Sequence, residues 1–112
     1  MTPSYAYACD VVRVIDGDTI VVHVDLGFRT WRRDEPIRLA HVDAPDSQPG
    51  KMMVTAYVSN LLPVGSRVLC RTFKPADKYG RWLASVELPN GWDLATHLLE
   101  LRLVVPYEGG PR

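Results

Sequence analysis

The sequence has 112 residues, 46% of them hydrophobic and 23% charged, and a formal net charge of zero at pH 7. This composition is that of a globular domain and excludes an intrinsically disordered chain. A zero net charge also excludes proteins that hold nucleic acid by a broad positive field alone. The length supports one hydrophobic core, so we predict a single domain over residues 1–112, with its core at about 7–105 and a loose tail at 106–112.

No targeting or membrane signal stands out along the chain. The N-terminal residues lack a basic start followed by an apolar run, so we expect a cytoplasmic location. Cys9 and Cys70 lie far apart and do not have the spacing of a metal site. In a reducing compartment they are expected to be buried thiols.

The first half of the chain predicts β-strands rich in valine and isoleucine. Gly17 interrupts this pattern and permits a bend, a bulge or a close backbone approach. Asp25-Leu26-Gly27 is a turn signal, and Pro36 restricts its strand to a sheet edge or a bulge. We predict three strands, over residues 7–15, over 20–24 and over a stretch interrupted at Pro36 that covers 29–33 and 37–42.

The second half predicts a helix, two strands and a second helix. Apolar residues near helical spacing, ended by Pro63-Val64-Gly65, indicate the first helix, and Asp93 is a suitable N-cap for the second. A chain with this many short predicted strands, and with residues that permit bulges in them, is typical of a closed or nearly closed barrel. The predicted elements are a helix at 51–62, strands at 68–73 and 82–88, a helix at 94–101 and a short strand at 103–105.

Two carboxylates stand inside an apolar strand pattern in the stretch V-I-D-G-D-T, which ends at Thr19. On an extended chain, Asp16 and Asp18 would point to one face and could seat a hard cation such as Ca²⁺. An Asp-Gly-Asp turn that joins two strands explains the same residues equally well. The spacing does not fit an EF-hand loop, because Val21 falls where that loop needs glycine and Gly27 where it needs glutamate.

Two further clusters carry the same kind of chemistry. The stretch R-L-A-H-V-D-A-P-D begins at Arg38, and D-K-Y-G-R ends at Arg81. Guanidinium groups match phosphate oxygens, and carboxylates bind a divalent ion that neutralises phosphate charge, so the clusters together favour phosphodiester hydrolysis. Because a charge among apolar residues is costly unless it is paired, an Arg38–Asp43 ion pair with a purely structural role is the alternative.

These three blocks, in this order, resemble the staphylococcal nuclease (thermonuclease) family over roughly residues 7 to 105. The resemblance implies an α+β, mainly β fold, a five-stranded OB-fold barrel with two helices. It further implies a Ca²⁺-dependent nuclease that hydrolyses phosphodiester bonds of DNA and RNA, single-stranded or frayed, and leaves 3′-phosphate ends.

The resemblance also assigns residues by position. Asp18 and Asp43 match the metal-binding carboxylates, and the backbone carbonyl of Ala44 matches a third ligand. Arg38 and Arg81 match the arginines that hold the scissile phosphate. Lys78 and Tyr79 match residues that contact a neighbouring phosphate of the substrate.

Two departures from the family pattern affect the expected function. Asp46 stands where the family has a glutamate that acts on the attacking water, and its shorter side chain reduces the expected rate. A catalytically weak or inactive OB-fold module that binds nucleic acid or a protein partner is therefore the alternative function. The family's third, C-terminal helix has no counterpart in this sequence, and the barrel surface left uncovered favours a weak homodimer.

Overall fold

The computed structural model describes residues 5–74 and 81–107, which form seven strands and two helices. The strands are β1 (Ala6–Asp16), β2 (Thr19–Asp25), β3 (Trp31–Leu39), β4 (Val42–Asp43), β5 (Arg67–Lys74), β6 (Trp82–Glu87) and β7 (Val105–Pro106). The helices are α1 (Gly50–Leu61) and α2 (Leu94–Glu100). The predicted order of three strands, helix, two strands and helix is confirmed. The short strand predicted at 103–105 is present as β7, slightly further along the chain, and β4 is added.

Five strands close into a barrel in the order β1-β2-β3-β6-β5. All neighbouring strands are antiparallel except β3 and β6, which run parallel. The predicted α+β, mainly β fold with a closed five-stranded barrel and two helices is therefore confirmed. Pro36 lies at a place where β3 pairs with β2 but not with β6, because the β3–β6 pairs begin at Ile37. An edge-like position suits a residue that cannot donate a backbone hydrogen bond.

The predicted strand over residues 37–42 is interrupted in the structure. β3 ends at Leu39, and His41 adopts a positive φ of 69° that an extended strand does not allow. The chain therefore turns, and β4 pairs with β7 in a separate two-stranded sheet. This turn moves Asp43 away from the axis of β3 and back towards the start of β2.

The two helices have different start signals. Asp93 caps α2, since its Oδ2 accepts from the backbone amide of Thr96 at 3.0 Å, which confirms the predicted N-cap. Pro49 begins α1 without a side-chain cap. Val54 and Val58 are the buried residues of α1, and among the described residues neither helix is long and apolar enough to cross a membrane.

The C-terminal segment is more ordered than the predicted tail. Pro106 belongs to β7, and the amide of Tyr107 donates to the carbonyl of His41 at 2.9 Å. The prediction of a loose tail from residue 106 is wrong for these two residues, because β4 offers them a hydrogen-bonding edge. Residues 108–112 lie outside the described part of the chain.

Candidate active site

The stretch from Asp16 to Thr19 is a tight turn between β1 and β2, with these two residues paired across it. The amide of Asp18 donates to Asp16 Oδ1 at 3.1 Å, a contact that acidic residues often make at turns. The turn interpretation is therefore confirmed. The chain reverses between the two acids, so the expectation that they share one face of an extended strand is wrong.

Gly17 allows this turn to lie against the rest of the site. A Cβ placed on Gly17 would be 2.5 Å from Cγ1 of Val54 on α1 and 2.9 Å from Cβ of Ala44. Only a residue without a side chain fits this approach, as the sequence suggested. The close contact brings Ala44 next to Asp18, whose Oδ2 accepts from the Ala44 amide at 2.8 Å.

A buried guanidinium joins the two predicted metal-binding carboxylates. Arg38 is 2% exposed, and its Nη2 lies 3.3 Å from Asp18 Oδ2 and 3.2 Å from Asp43 Oδ1. Its Nη1 donates to the carbonyl of Leu39. The predicted Arg38–Asp43 ion pair is present, and Asp18 joins it. Two carboxylates and one guanidinium therefore converge on a single point at the end of β3.

The turn carboxylates have opposite pKa shifts. Burial and the neighbouring Asp18 raise the pKa of Asp16. Burial alone would also raise the pKa of Asp18, but hydrogen bonds from Asp16 and the Ala44 amide, together with the positive charge of Arg38, outweigh it and lower that pKa. Asp18 is thus the carboxylate of this pair that the site keeps ionised.

The second arginine reaches the site through a hydroxyl group. Arg81 donates from Nη1 to Thr19 Oγ1 at 3.3 Å, and the Thr19 hydroxyl donates to Asp18 Oδ1 at 3.2 Å. Thr19 also lies directly opposite Arg38 in the β2–β3 register. The structure therefore brings together the two predicted arginines and both predicted carboxylates.

Thr19 is a site residue that the sequence analysis did not single out. It is 2% exposed, and its hydroxyl is a link between Asp18 and Arg81. Thr19 follows Asp18, a predicted metal ligand, and stands next to an apolar run. This position is the sequence feature from which its role could have been predicted. A buried hydroxyl needs hydrogen-bond partners, and two charged groups are nearby.

The site contains carboxylate oxygens, the kind of ligand that a hard cation such as Ca²⁺ binds. Ca²⁺ takes about six to eight oxygen ligands, and Asp18 and Asp43 supply carboxylates that converge within 3.3 Å of one nitrogen. Asp43 is 35% exposed, so solvent or phosphate oxygens can approach. No group of three or more His, Cys, Asp or Glu side chains able to hold a metal occurs in residues 5–74 and 81–107.

Asp46 is less firmly positioned than the other predicted site residues. It follows β4 in the loop that leads into α1, it is exposed, and no hydrogen bond or ion pair ties it to the described residues. The remaining predicted contacts, Lys78 and Tyr79, lie outside the part of the chain that the structure describes.

Two curated proteins are similar to this chain over most of its length. Both are named "Uncharacterized endonuclease", one from Escherichia coli O157:H7 and one from Escherichia coli, and each is 32% identical over 98 residues. The alignment covers 88% of this chain but only 60% of each relative, and no protein-family model matches the chain.

Proposed function

We propose that the chain is a Ca²⁺-dependent nuclease of the staphylococcal nuclease type, which hydrolyses phosphodiester bonds of DNA and RNA and leaves 3′-phosphate ends. The observation that best supports this proposal is the buried Arg38 guanidinium, which lies between Asp18 and Asp43. Arg81 is linked to the same cluster of side chains through the Thr19 hydroxyl. The names of the two relatives support the same reaction class.

Asp18, Asp43 and the Ala44 carbonyl would hold the cation. When bound, Ca²⁺ supplies positive charge that neutralises a phosphate oxygen and orders water beside it. Ionised Asp18 fits this role because its environment lowers its pKa. Asp43 faces solvent in part, which leaves a side from which substrate can approach.

The arginines would stabilise the charge that develops during in-line attack. Arg38 is fixed by its carboxylate and carbonyl partners, so little reorganisation is needed when the phosphate arrives. Arg81 is only partly buried and can turn its fork of donors towards a phosphate. Asp46 would accept a proton at its carboxylate while the water oxygen bonds to phosphorus and the P–O5′ bond breaks. The departing 5′ oxygen, stabilised by one of the arginines, would take a proton from solvent. Lys78 and Tyr79 would contact a neighbouring phosphate of a single-stranded or frayed substrate.

One observation favours the alternative function, a module that binds nucleic acid without cleaving it. Asp46 is exposed and has no hydrogen-bond or ion-pair partner among the described residues. A general base must be held within hydrogen-bond reach of the water that it deprotonates. Without that support, the same arginines and carboxylates would bind phosphate but turn over slowly.

Incubation of the purified protein with heat-denatured DNA and with RNA in Ca²⁺ distinguishes the two functions. We expect degradation that a chelator abolishes, and fragments that a polymerase extends only after their 3′-phosphates are removed. Asp18→Asn purified in the same way is the control for a contaminating nuclease, and we expect it to be inactive. Intact nucleic acid that the protein nevertheless binds would support the module and reject the nuclease.

A further inference from the structure

A cavity of about 390 Å³ opens at one end of the barrel, where β1 and β6 begin and β2 and β5 end. Its floor is formed by Cys9, Cys70 and Ile37, which are at most 3% exposed, and Trp82 forms part of its wall. An apolar cavity of about 150 Å³ is already large enough to bind benzene. The space at this end of the barrel can therefore accept an aromatic side chain.

The turn between β2 and β3 lies at the same end of the barrel and carries a fully exposed aromatic residue, Phe28. Its exposure is 103%, so the ring is surrounded by solvent and does not fill the cavity of its own chain. Leu26, two residues earlier, lines the cavity, which places the tip of the turn beside the opening.

The backbone of this turn holds Phe28 outward in a fixed conformation. Phe28 and Arg29 have positive φ angles of 53° and 59°, which residues with a side chain rarely adopt. The Leu26 amide donates to the Thr30 carbonyl at 2.8 Å, and the Thr30 amide donates to the Gly27 carbonyl at 2.9 Å. Positive φ angles in a hairpin turn favour glycine, asparagine and aspartate, so the turn itself does not call for phenylalanine. A rigid, exposed aromatic side chain loses little conformational entropy when it binds a partner.

We propose that two copies of this chain form a reciprocal contact, in which Phe28 of each copy fills the barrel-end cavity of the other. The ring and the cavity lie at the same end of the barrel, so a two-fold axis through that end would bring both pairs together and close the assembly as a dimer. Insertion would remove the ring and the cavity walls from water, which is the main favourable term in association. The proposal does not depend on the proposed function, because none of the described active-site residues lines the cavity.

The charged groups at the opening complement the turn of a second copy. Arg29 follows Phe28 and is exposed, whereas the Glu35 side chain lines the cavity and is 15% exposed. Glu35 Oε1 accepts from Arg32 Nε at 2.7 Å, and a carboxylate has a second oxygen that can accept. Arg29 of the second copy would donate to this carboxylate when Phe28 enters the cavity, and such charge pairs fix the orientation of a contact.

The size of the contact predicts a weak dimer. A buried aromatic side chain removes about 150–250 Å² from water, and two of them stay well below the ~1,200 Å² of stable interfaces. We therefore expect a dissociation constant on the order of 100 µM. The weak homodimer expected from the sequence would then have a specific interface.

Sedimentation velocity over about 10 µM to about 1 mM protein measures the association. We expect a monomer–dimer equilibrium, and Phe28→Asp should weaken it by at least about tenfold, because a charge would have to enter an apolar cavity. Val64→Asp is the matched control, since Val64 is 81% exposed, precedes β5 and does not line the cavity, and it should associate like the unchanged protein. A protein that stays monomeric throughout this range would overturn the proposal. So would a dimer that Phe28→Asp does not weaken, or growth into larger polymers.

A variant that fills the cavity tests the other half of the contact. Val24 is 9% exposed and lines the cavity, so Val24→Phe should occupy the space and weaken the dimer as much as Phe28→Asp does. If Val24→Phe does not fold, Leu26→Trp serves instead, because Leu26 lies at the opening and is 39% exposed. A folded cavity variant that still forms the dimer with unchanged affinity would reject the proposal.

Photo-crosslinking locates the contact directly. The probe is p-benzoylphenylalanine in place of Phe28, irradiated in an equal mixture with isotopically labelled unchanged protein, so that links between copies are recognised by mass. We expect links to cavity-lining residues such as Tyr7 and Trp82 of the labelled copy. The same probe in place of Val64 should give none of these links. Links from position 28 that fall only outside the cavity would overturn the proposal.

Discussion

The turn at Asp16–Thr19 and the loop that contains Asp46 each supply a carboxylate to the proposed active site, but the fold holds them very differently. The Asp18 side chain is 9% exposed and accepts hydrogen bonds from Thr19 and from the Ala44 amide, besides its ion pair with Arg38. Asp46 is exposed and has no such partner among the described residues. In the turn, therefore, stability and function depend on the same contacts, whereas in the loop they can be separated.

The largest effect is expected from Asp18→Ala, which should abolish cleavage and also lower the free energy of unfolding by about 3 kcal/mol. The substitution leaves Arg38 buried with one carboxylate fewer, and it leaves the Ala44 amide without its acceptor. Urea unfolding in the presence of chelator measures this cost without any contribution from metal. Asp18→Asn keeps an acceptor for the amide and should cost less. Unchanged stability in Asp18→Ala would show that the turn does not depend on its carboxylate.

Asp46→Ala should lower the cleavage rate and leave the stability of the fold unchanged, unlike Asp18→Ala. If Asp46 is the general base, turnover falls by at least ~10²-fold, because that is the usual contribution of such a group. The free energy of unfolding should change by less than about 0.5 kcal/mol, since the side chain is on the surface.

Steady-state cleavage rates and urea unfolding of the same preparation test this prediction. Asp46→Glu restores the carboxylate length that the resemblance leads us to expect, and we expect it to raise the rate. A rate that neither substitution changes would remove Asp46 from the mechanism.

Gly17→Ala tests the packing that holds the turn. The added Cβ would meet Val54 Cγ1 at 2.5 Å, and overpacking of this kind typically costs about 1–3 kcal/mol. Thermal unfolding of the single variant and of Gly17→Ala with Val54→Ala provides a double-mutant cycle. Relief of the contact should make the combined loss smaller than the sum of the single losses. Simple additivity would mean that the turn moves away from α1 instead.

The smallest effect is expected from Thr19→Val, which removes the hydroxyl between Asp18 and Arg81 but keeps a β-branched residue in β2. We expect kcat/KM for a short oligonucleotide to fall by about tenfold, the lower end of what partners of site residues contribute. Thr19→Ser keeps the hydroxyl and should restore most of the activity. Equal losses in both variants would indicate that Thr19 contributes packing and does not position Arg81.

The sequence was sufficient for the order of the elements and for most residues of the site. Valine-rich runs with turn signals predicted the barrel strands, and Asp93 predicted the start of α2, because these signals are local and depend on neighbouring residues only. The three ordered blocks placed Asp18, Asp43 and both arginines in one site, and the structure brings them together.

Only the tertiary structure decided how those residues are held. The pairing of β4 with β7 could not be predicted from the sequence, because it forms only where the turn at His41 brings two distant segments together. The sequence shows two neighbouring acids in the turn, but only the structure shows that one of them, Asp18, is paired with a buried arginine, Arg38. Likewise, the link through Thr19 and the exposure of Asp46 depend on which strands and loops meet in space, a long-range property that no local pattern carries.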